Sequence, residues 1–318
     1  MNAAAISHTP VIQGYKKSIR IFLRMIVLIL LYMIIFALSG QLLVPFLPDI
    51  TPEPGPFSFL VGYLIVCTTT VLVITLAIYS SRWVGWKLIL TLSLAYYTVV
   101  TVVTQLDSWF YLYGITIGPE LMRGLFLQGF ILAFTFIPLA VMILGRFPIP
   151  AGEAAVPETA HFSILSWVGK ITLLTLACLV IYYCAGYYIA WQNPELRAFY
   201  GQSGRTLPFI RVMSDNITYN PIALPFQILR ALIWIAGAAL FVRGSHLPRW
   251  QTAVLTGLFF SIPQTIGLIL PNPLMPAASV RLSHLIETAP SVFLFGCLVG
   301  WLLYPKLLSQ KPQSGDLK

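Results

Sequence analysis

The chain has 318 residues, 58% of them hydrophobic and only 9% charged, and a formal net charge of +9. Its mean hydropathy of +0.84 lies well above what a soluble domain carries. This excludes a soluble globular protein and points to an integral membrane protein.

Apolar runs of about 20 residues can cross a hydrocarbon core of about 30 Å as helices, whereas barrel strands would alternate polar and apolar residues. Eight such runs are predicted, at 21–46, 57–80, 86–106, 124–145, 166–191, 223–243, 251–270 and 280–304. The expected fold is therefore all-α, a polytopic transmembrane bundle forming a single integral membrane domain over 1–318. The first run follows Lys16, Lys17, Arg20 and Arg24 and ends in the small residues ALS at 37–39, which also describes a signal peptide; its length favours a retained helix.

Between the runs, the segment at 146–163 is rich in proline and alanine and reads as a connector. The segment at 192–221 mixes aromatic, arginine and turn residues, and is expected to fold as a cap over one mouth of the bundle. A weak internal similarity relates AYY at 95–97, FYLYG at 110–114 and ELMRGLF at 120–126 to IYY at 181–183, AFYG at 198–201 and QILRALI at 227–233. It suggests a duplication of the kind found in transporters.

With the N-terminus in the cytoplasm, 13 of the 19 basic residues fall on the cytoplasmic side, for a net +10 inside and −1 outside. The positive-inside rule then places both termini, the tails 1–20 and 306–318, in the cytoplasm, and the 192–221 segment outside. The excess of positive charge is explained by topology, with no nucleic-acid partner needed. Every lysine is on the inner side, and the basic residues on the outer side are all arginine, whose planar fork suits carboxylates and phosphates. Those arginines either pair with outer carboxylates and anchor helix ends, or bind an anion.

Residues 281–288, RLSHLIET, place Arg281, His284 and Glu287 every third residue on one helical face. Counted at 1.5 Å per residue, Arg281 and His284 reach headgroup level, Glu287 lies just beneath, and Arg230 lies about 10 Å inside, with Gln264 and Gln128 in the same layer. A charge within a span is costly, so Arg230 and Glu287 are expected to pair with each other, with Gln264 or Gln128 completing the hydrogen bonds. The sharper reading has Arg123, Arg230 and Arg281 converging on an anionic group, with His284 and Glu287 modulating it. Pro138, Pro263 and Pro290 are expected to kink their helices. Tyr183, Tyr187 and Trp191 repeat every fourth residue, as an interfacial belt or a ligand-stacking wall.

No haem, metal or nucleotide cofactor is expected. His284 is the one histidine placed at the membrane, no zinc-ligand set accompanies it, and G-x-S-x-G, P-loop and G-x-G-x-x-G motifs are missing from the sequence. Cys67, Cys178, Cys184 and Cys297 all fall in predicted spans and read as small apolar fillers.

The segments WQNPELRAFYG at 191–201, PFQILRALIW at 225–234 and LPNPLMPAASVRLSHLIETAPSVFLFG at 270–296 resemble a family of uncharacterised bacterial polytopic inner-membrane proteins, over roughly the C-terminal 40% of the chain. The resemblance implies a bacterial inner-membrane helical protein and brings no activity, ligand or catalytic residue with it. From the residues themselves, the expected function is binding or transport of an anionic small molecule or lipid headgroup in an arginine-rich outer-leaflet recess, with membrane lipids as partners. An outer-leaflet lipid-modifying enzyme using His284 and Glu287, and a ligand-free structural role, are the alternatives.

Overall fold

The computed structural model describes residues 9–147, 163–202 and 204–305, with side chains from residue 18 onward. The 306–318 tail, the start of the N-terminal tail and most of the 146–163 connector lie outside the described residues.

Ten helices form among the described residues, and eight of them are long and apolar enough to cross a membrane. They are α1 (Thr9–Gln41), α2 (Phe59–Ser80), α3 (Gly85–Leu112), α4 (Pro119–Ile143), α5 (Ile164–Tyr188), α8 (Ala223–Gly244), α9 (Arg249–Thr265) and α10 (Ala278–Leu302). Between α5 and α8 lie two short helices, α6 (Pro194–Phe199) and α7 (Phe209–Tyr219). The all-α polytopic bundle expected from the hydropathy is thus present, with span limits within a few residues for most helices. The largest differences are at α1, which runs Thr9–Gln41 where 21–46 is expected, at α3, which continues to Leu112 where an end at 106 is expected, and at α4, which starts at Pro119 where a start at 124 is expected. An even number of spans brings both ends of the membrane domain to the same end of the bundle.

That end, with the short 81–84 and 245–248 turns, is stapled by arginines. Arg82 Nη2 donates to the Ser245 carbonyl (2.6 Å), Arg146 Nη2 to the Ser81 carbonyl (2.5 Å) and Arg24 Nη1 to the Leu144 carbonyl (3.3 Å). Among the described residues, every aspartate and glutamate lies toward the opposite, loop-rich end.

The core runs through the bundle around residues buried on all eight long helices, with α5 adding only Leu174 and Cys178. Helix α1 contributes Leu28, Tyr32 and Ile35; Tyr32 bonds the Tyr96 hydroxyl at 3.3 Å and sets its ring edge-on to Phe136. Both α3 and α4 contain a π-helical turn, at Tyr97–Val102 and Leu132–Phe136. In α4 the turn comes just before Pro138, whose missing N–H a wider turn accommodates. In α3 it lets neighbouring backbones approach: a Cβ on Gly129 would stand 2.2 Å from the Thr101 side chain, and one on Gly237 would stand 3.0 Å from Thr98. Trp234 of α8 donates its indole N–H to the Val99 carbonyl in the same turn (3.2 Å). Helix α10 continues through Pro290, beside which Ser261 of α9 donates to the Ala289 carbonyl at 2.8 Å.

Candidate functional site

At the loop-rich end, α3, α5, α8, α9 and α10 enclose a cavity of about 480 Å³, within the usual range for small-molecule sites. Two helices turn a polar stripe toward it with helical spacing: Thr104, Asp107, Ser108 and Tyr111 on α3, and His284, Glu287, Thr288 and Ser291 on α10. Below them the walls become apolar, with Ile181, Trp234, Val292 and Phe295. From His284 to Phe295 the lining descends roughly 16 Å at 1.5 Å per residue.

The 192–221 segment caps this cavity. Asn193 accepts the Glu195 N–H (2.9 Å) to start α6, and its amide donates to the Ser283 hydroxyl on α10 (2.8 Å). Glu195 also accepts a hydrogen bond from the Ser279 hydroxyl. Tyr200 follows α6 and lines the cavity, its ring stacked on Trp191 (5.8 Å between centroids) and edge-on to His284. Val212, Met213 and Asn216 of α7 complete the roof. Tyr183, Tyr187 and Trp191 all line the cavity, so the aromatic repeat on α5 and the turn that follows it forms one of its walls.

Arg230 is buried, and its guanidinium is held in three directions. Its Nη1 donates to Asp107 at 2.9 Å, and its Cζ lies over the rings of Tyr182 (4.6 Å) and Trp234 (4.7 Å). Its Nε–H has no partner within the protein, nor do the Gln264 Nε2 and Gln227 Oε1 atoms. Tyr111 hydrogen-bonds Tyr182 and accepts the Gln227 amide N–H at 2.7 Å, linking α3, α5 and α8.

A second chain runs from the cap to α10. The Tyr200 hydroxyl lies 3.0 Å from His284 Nε2, His284 Nδ1 lies 3.7 Å from a Glu287 carboxylate oxygen, and the Thr288 hydroxyl donates to that oxygen at 2.7 Å. Burial pushes the Tyr200 phenol above its ordinary value, with the neighbouring Tyr111 and Glu287 adding to the rise. The phenol therefore keeps its proton, and the geometry suits donation to Nε2 with the imidazole hydrogen on Nδ1, toward Glu287.

Four of the expected site residues, Arg230, His284, Glu287 and Gln264, line this one cavity. The other three are placed elsewhere. Arg123 is exposed and pairs with Glu120 one turn away. Gln128 faces α1, its amide 3.6 Å from where a Cβ on Gly40 would stand. Arg281, 1% exposed, is a staple: Nη1 donates to the Met275 and Pro276 carbonyls (2.9 and 2.6 Å), and Nη2 to the Glu53 carbonyl (2.6 Å). It fastens the segment after α1 to the one before α10, deeper in protein than the headgroup position expected for it. Arg211 pairs with Asp215 (3.1 Å) and Arg197 donates to the Trp191 carbonyl (2.6 Å).

The expected Arg230–Glu287 pair is corrected to Arg230–Asp107. Asp107, Tyr111, Tyr182 and Tyr200 are site residues that the sequence reading missed, although the i, i+3, i+4, i+7 stripe of Thr104, Asp107, Ser108 and Tyr111 is a signal that could have found two of them.

Comparison of the chain with protein-family models, with curated proteins and with solved structures gives no match. The chain is a multi-pass helical membrane protein with a polar, aromatic-lined cavity at one end of its bundle.

Proposed function

We propose that the protein binds, and moves across or within the membrane, a small molecule or lipid headgroup bearing an anionic group, which it takes into the cavity from the loop-rich end. In this reading the chain lies in a bacterial inner membrane with both termini cytoplasmic. The arginine-stapled end meets the cytoplasm, as the positive-inside rule requires, and the capped cavity opens on the periplasmic side. The recess rests on one arginine rather than three.

The observation that carries the proposal is Arg230, a charged side chain well inside a span whose Nε–H lacks a protein partner on the wall of a ligand-sized cavity. Gln264 supplies a second unpaired donor in the same lining. An oxyanion that reaches either donor would satisfy it while Asp107 keeps the guanidinium in place.

Isothermal titration of the protein in dodecyl maltoside with glycerol phosphate tests this. Saturable binding is expected, weakened at least tenfold in the Arg230→Gln/Asp107→Asn double variant, which removes both charges together. Equal binding by the two proteins, or none by either, would remove the basis of the proposal.

One observation favours a second reading, a lipid-modifying enzyme. Tyr200, His284 and Glu287 stand in the order hydroxyl, imidazole, carboxylate that proton-transfer chemistry uses. That enzyme would lose turnover of a phospholipid substrate in His284→Ala while still binding it. A purely structural role would tolerate both sets of substitutions.

A further inference from the structure

Three formal charges line the cavity: the Asp107 and Glu287 carboxylates and the Arg230 guanidinium. Asp107 and Arg230 hold each other at 2.9 Å, which leaves Glu287 without a guanidinium or ammonium partner. Its near neighbours are the Thr288 hydroxyl and, at 3.7 Å, His284 Nδ1, beyond hydrogen-bonding distance. Glu287 is 7% exposed, and a carboxylate that deep in a span is costly unless a positive charge meets it. Around the same mouth stand Tyr200 and Trp191, stacked face to face with their rings in the cavity lining. Aromatic faces beside a desolvated carboxylate are the surroundings in which organic ammonium groups are bound.

We infer that the ligand also carries an ammonium group, seated by Glu287 and the rings of Tyr200 and Trp191, so that the cavity selects zwitterions over simple anions. This rests on the proposed anion contact at Arg230 and adds the opposite charge to the same molecule. The zwitterion lies with its anionic group toward Arg230 and Gln264, on α8 and α9, and its ammonium toward α10 and the cap. A ligand of no net charge leaves the balance of these three groups unchanged, while its ammonium neutralises Glu287 and its anion meets the donors that Asp107 leaves free. Either a free zwitterionic solute or an amine-bearing lipid headgroup has this chemistry.

Two probes separate the two halves of the ligand. In dodecyl maltoside, phosphoethanolamine is expected to bind the full-length protein at least tenfold more tightly than glycerol phosphate, which lacks the ammonium. Glu287→Gln should bring the two affinities within about twofold of each other by weakening phosphoethanolamine alone. Tyr200→Phe, which keeps the ring, should retain the preference, and Tyr200→Ala should reduce it; this pair stands in should Glu287→Gln fail to elute as a folded species. In nanodiscs, phosphoethanolamine that binds more weakly in phosphatidylethanolamine than in phosphatidylglycerol identifies the lipid headgroup as the natural source, and equal binding identifies a free solute. Equal affinity for both probes in the unaltered protein, or a preference that survives Glu287→Gln, would overturn the ammonium site while leaving Arg230-dependent binding of glycerol phosphate intact. Binding of neither probe would overturn both readings.

Discussion

The two sides of the bundle are built on opposite principles. Helices α9 and α10 form its most extensively packed pair, and they meet through residues without side-chain bulk. Ala253 and Gly257 on one helix face Gly296 and Gly300 on the other, each pair four residues apart. A Cβ on Gly296 would stand 2.8 Å from the Gly257 Cα, and one on Gly300 would stand 2.7 Å from the Ala253 Cα. Helix α5, by contrast, buries only Leu174 and Cys178 and turns its aromatic face to the cavity. In lipid, where apolar surface alone does not drive helices together, close backbone contact fixes one wall of the site, and the opposite wall is left with space beside it. The rigid pair presents Gln264, His284 and Glu287; the loosely held helix presents tyrosines.

This contrast can be broken from either side, with effects that fall in a definite order. The largest belongs to the polar wall. Arg230→Gln leaves Asp107 as an unpaired carboxylate and should cost about 3–5 kcal/mol, as breaking a buried ion pair does. Adding Asp107→Asn should recover most of the loss, measured by chemical unfolding in mixed micelles. Next is Arg281→Gln, which removes a charged donor from the Met275, Pro276 and Glu53 carbonyls and should cost about 1.5–3 kcal/mol without altering ligand affinity. Gly296→Ala should cost about 1–3 kcal/mol in the same assay, because the atoms it meets are backbone that cannot swing aside. The smallest effect has the opposite sign. Gly186 on α5 has nothing within 4 Å of an added Cβ, so Gly186→Ala should stabilise by about 0.5–1 kcal/mol. It also lines the cavity, so the same change should weaken binding of phosphoethanolamine slightly.

The spans were legible because apolar runs in this chain are long and their ends are marked by charge and proline. The burial of Arg230 and Glu287 was legible for the same reason: a charge in such a run has to face inward. The partner of Arg230 was not. The polar stretch QLDSW at 105–109 looks like the end of a span, yet α3 continues through it, because a helix bordering a polar cavity can keep polar residues at its end on one face. Asp107 therefore sits one residue beyond the expected boundary. The three-residue spacing of RLSHLIET suggests one face, but a step of three residues falls about 60° short of a full turn, so Arg281 and Glu287 diverge by about 120°. Arg281 consequently points into the segments that follow α1 and precede α10, while Glu287 points into the cavity. Arg123 and Arg230 match in the internal similarity, but one is exposed and the other buried, a difference set by neighbours distant in sequence.

Cys178 offers the most direct test of a ligand in this cavity, because it lies in the lining beside Arg230. In a variant with Cys67, Cys184 and Cys297 replaced by alanine, the account predicts that a small, membrane-impermeant methanethiosulfonate added from the periplasmic side modifies Cys178. Saturating phosphoethanolamine should slow that reaction at least tenfold. A Cys178 that reacts at the same rate with and without phosphoethanolamine, or only from the cytoplasmic side, would contradict it.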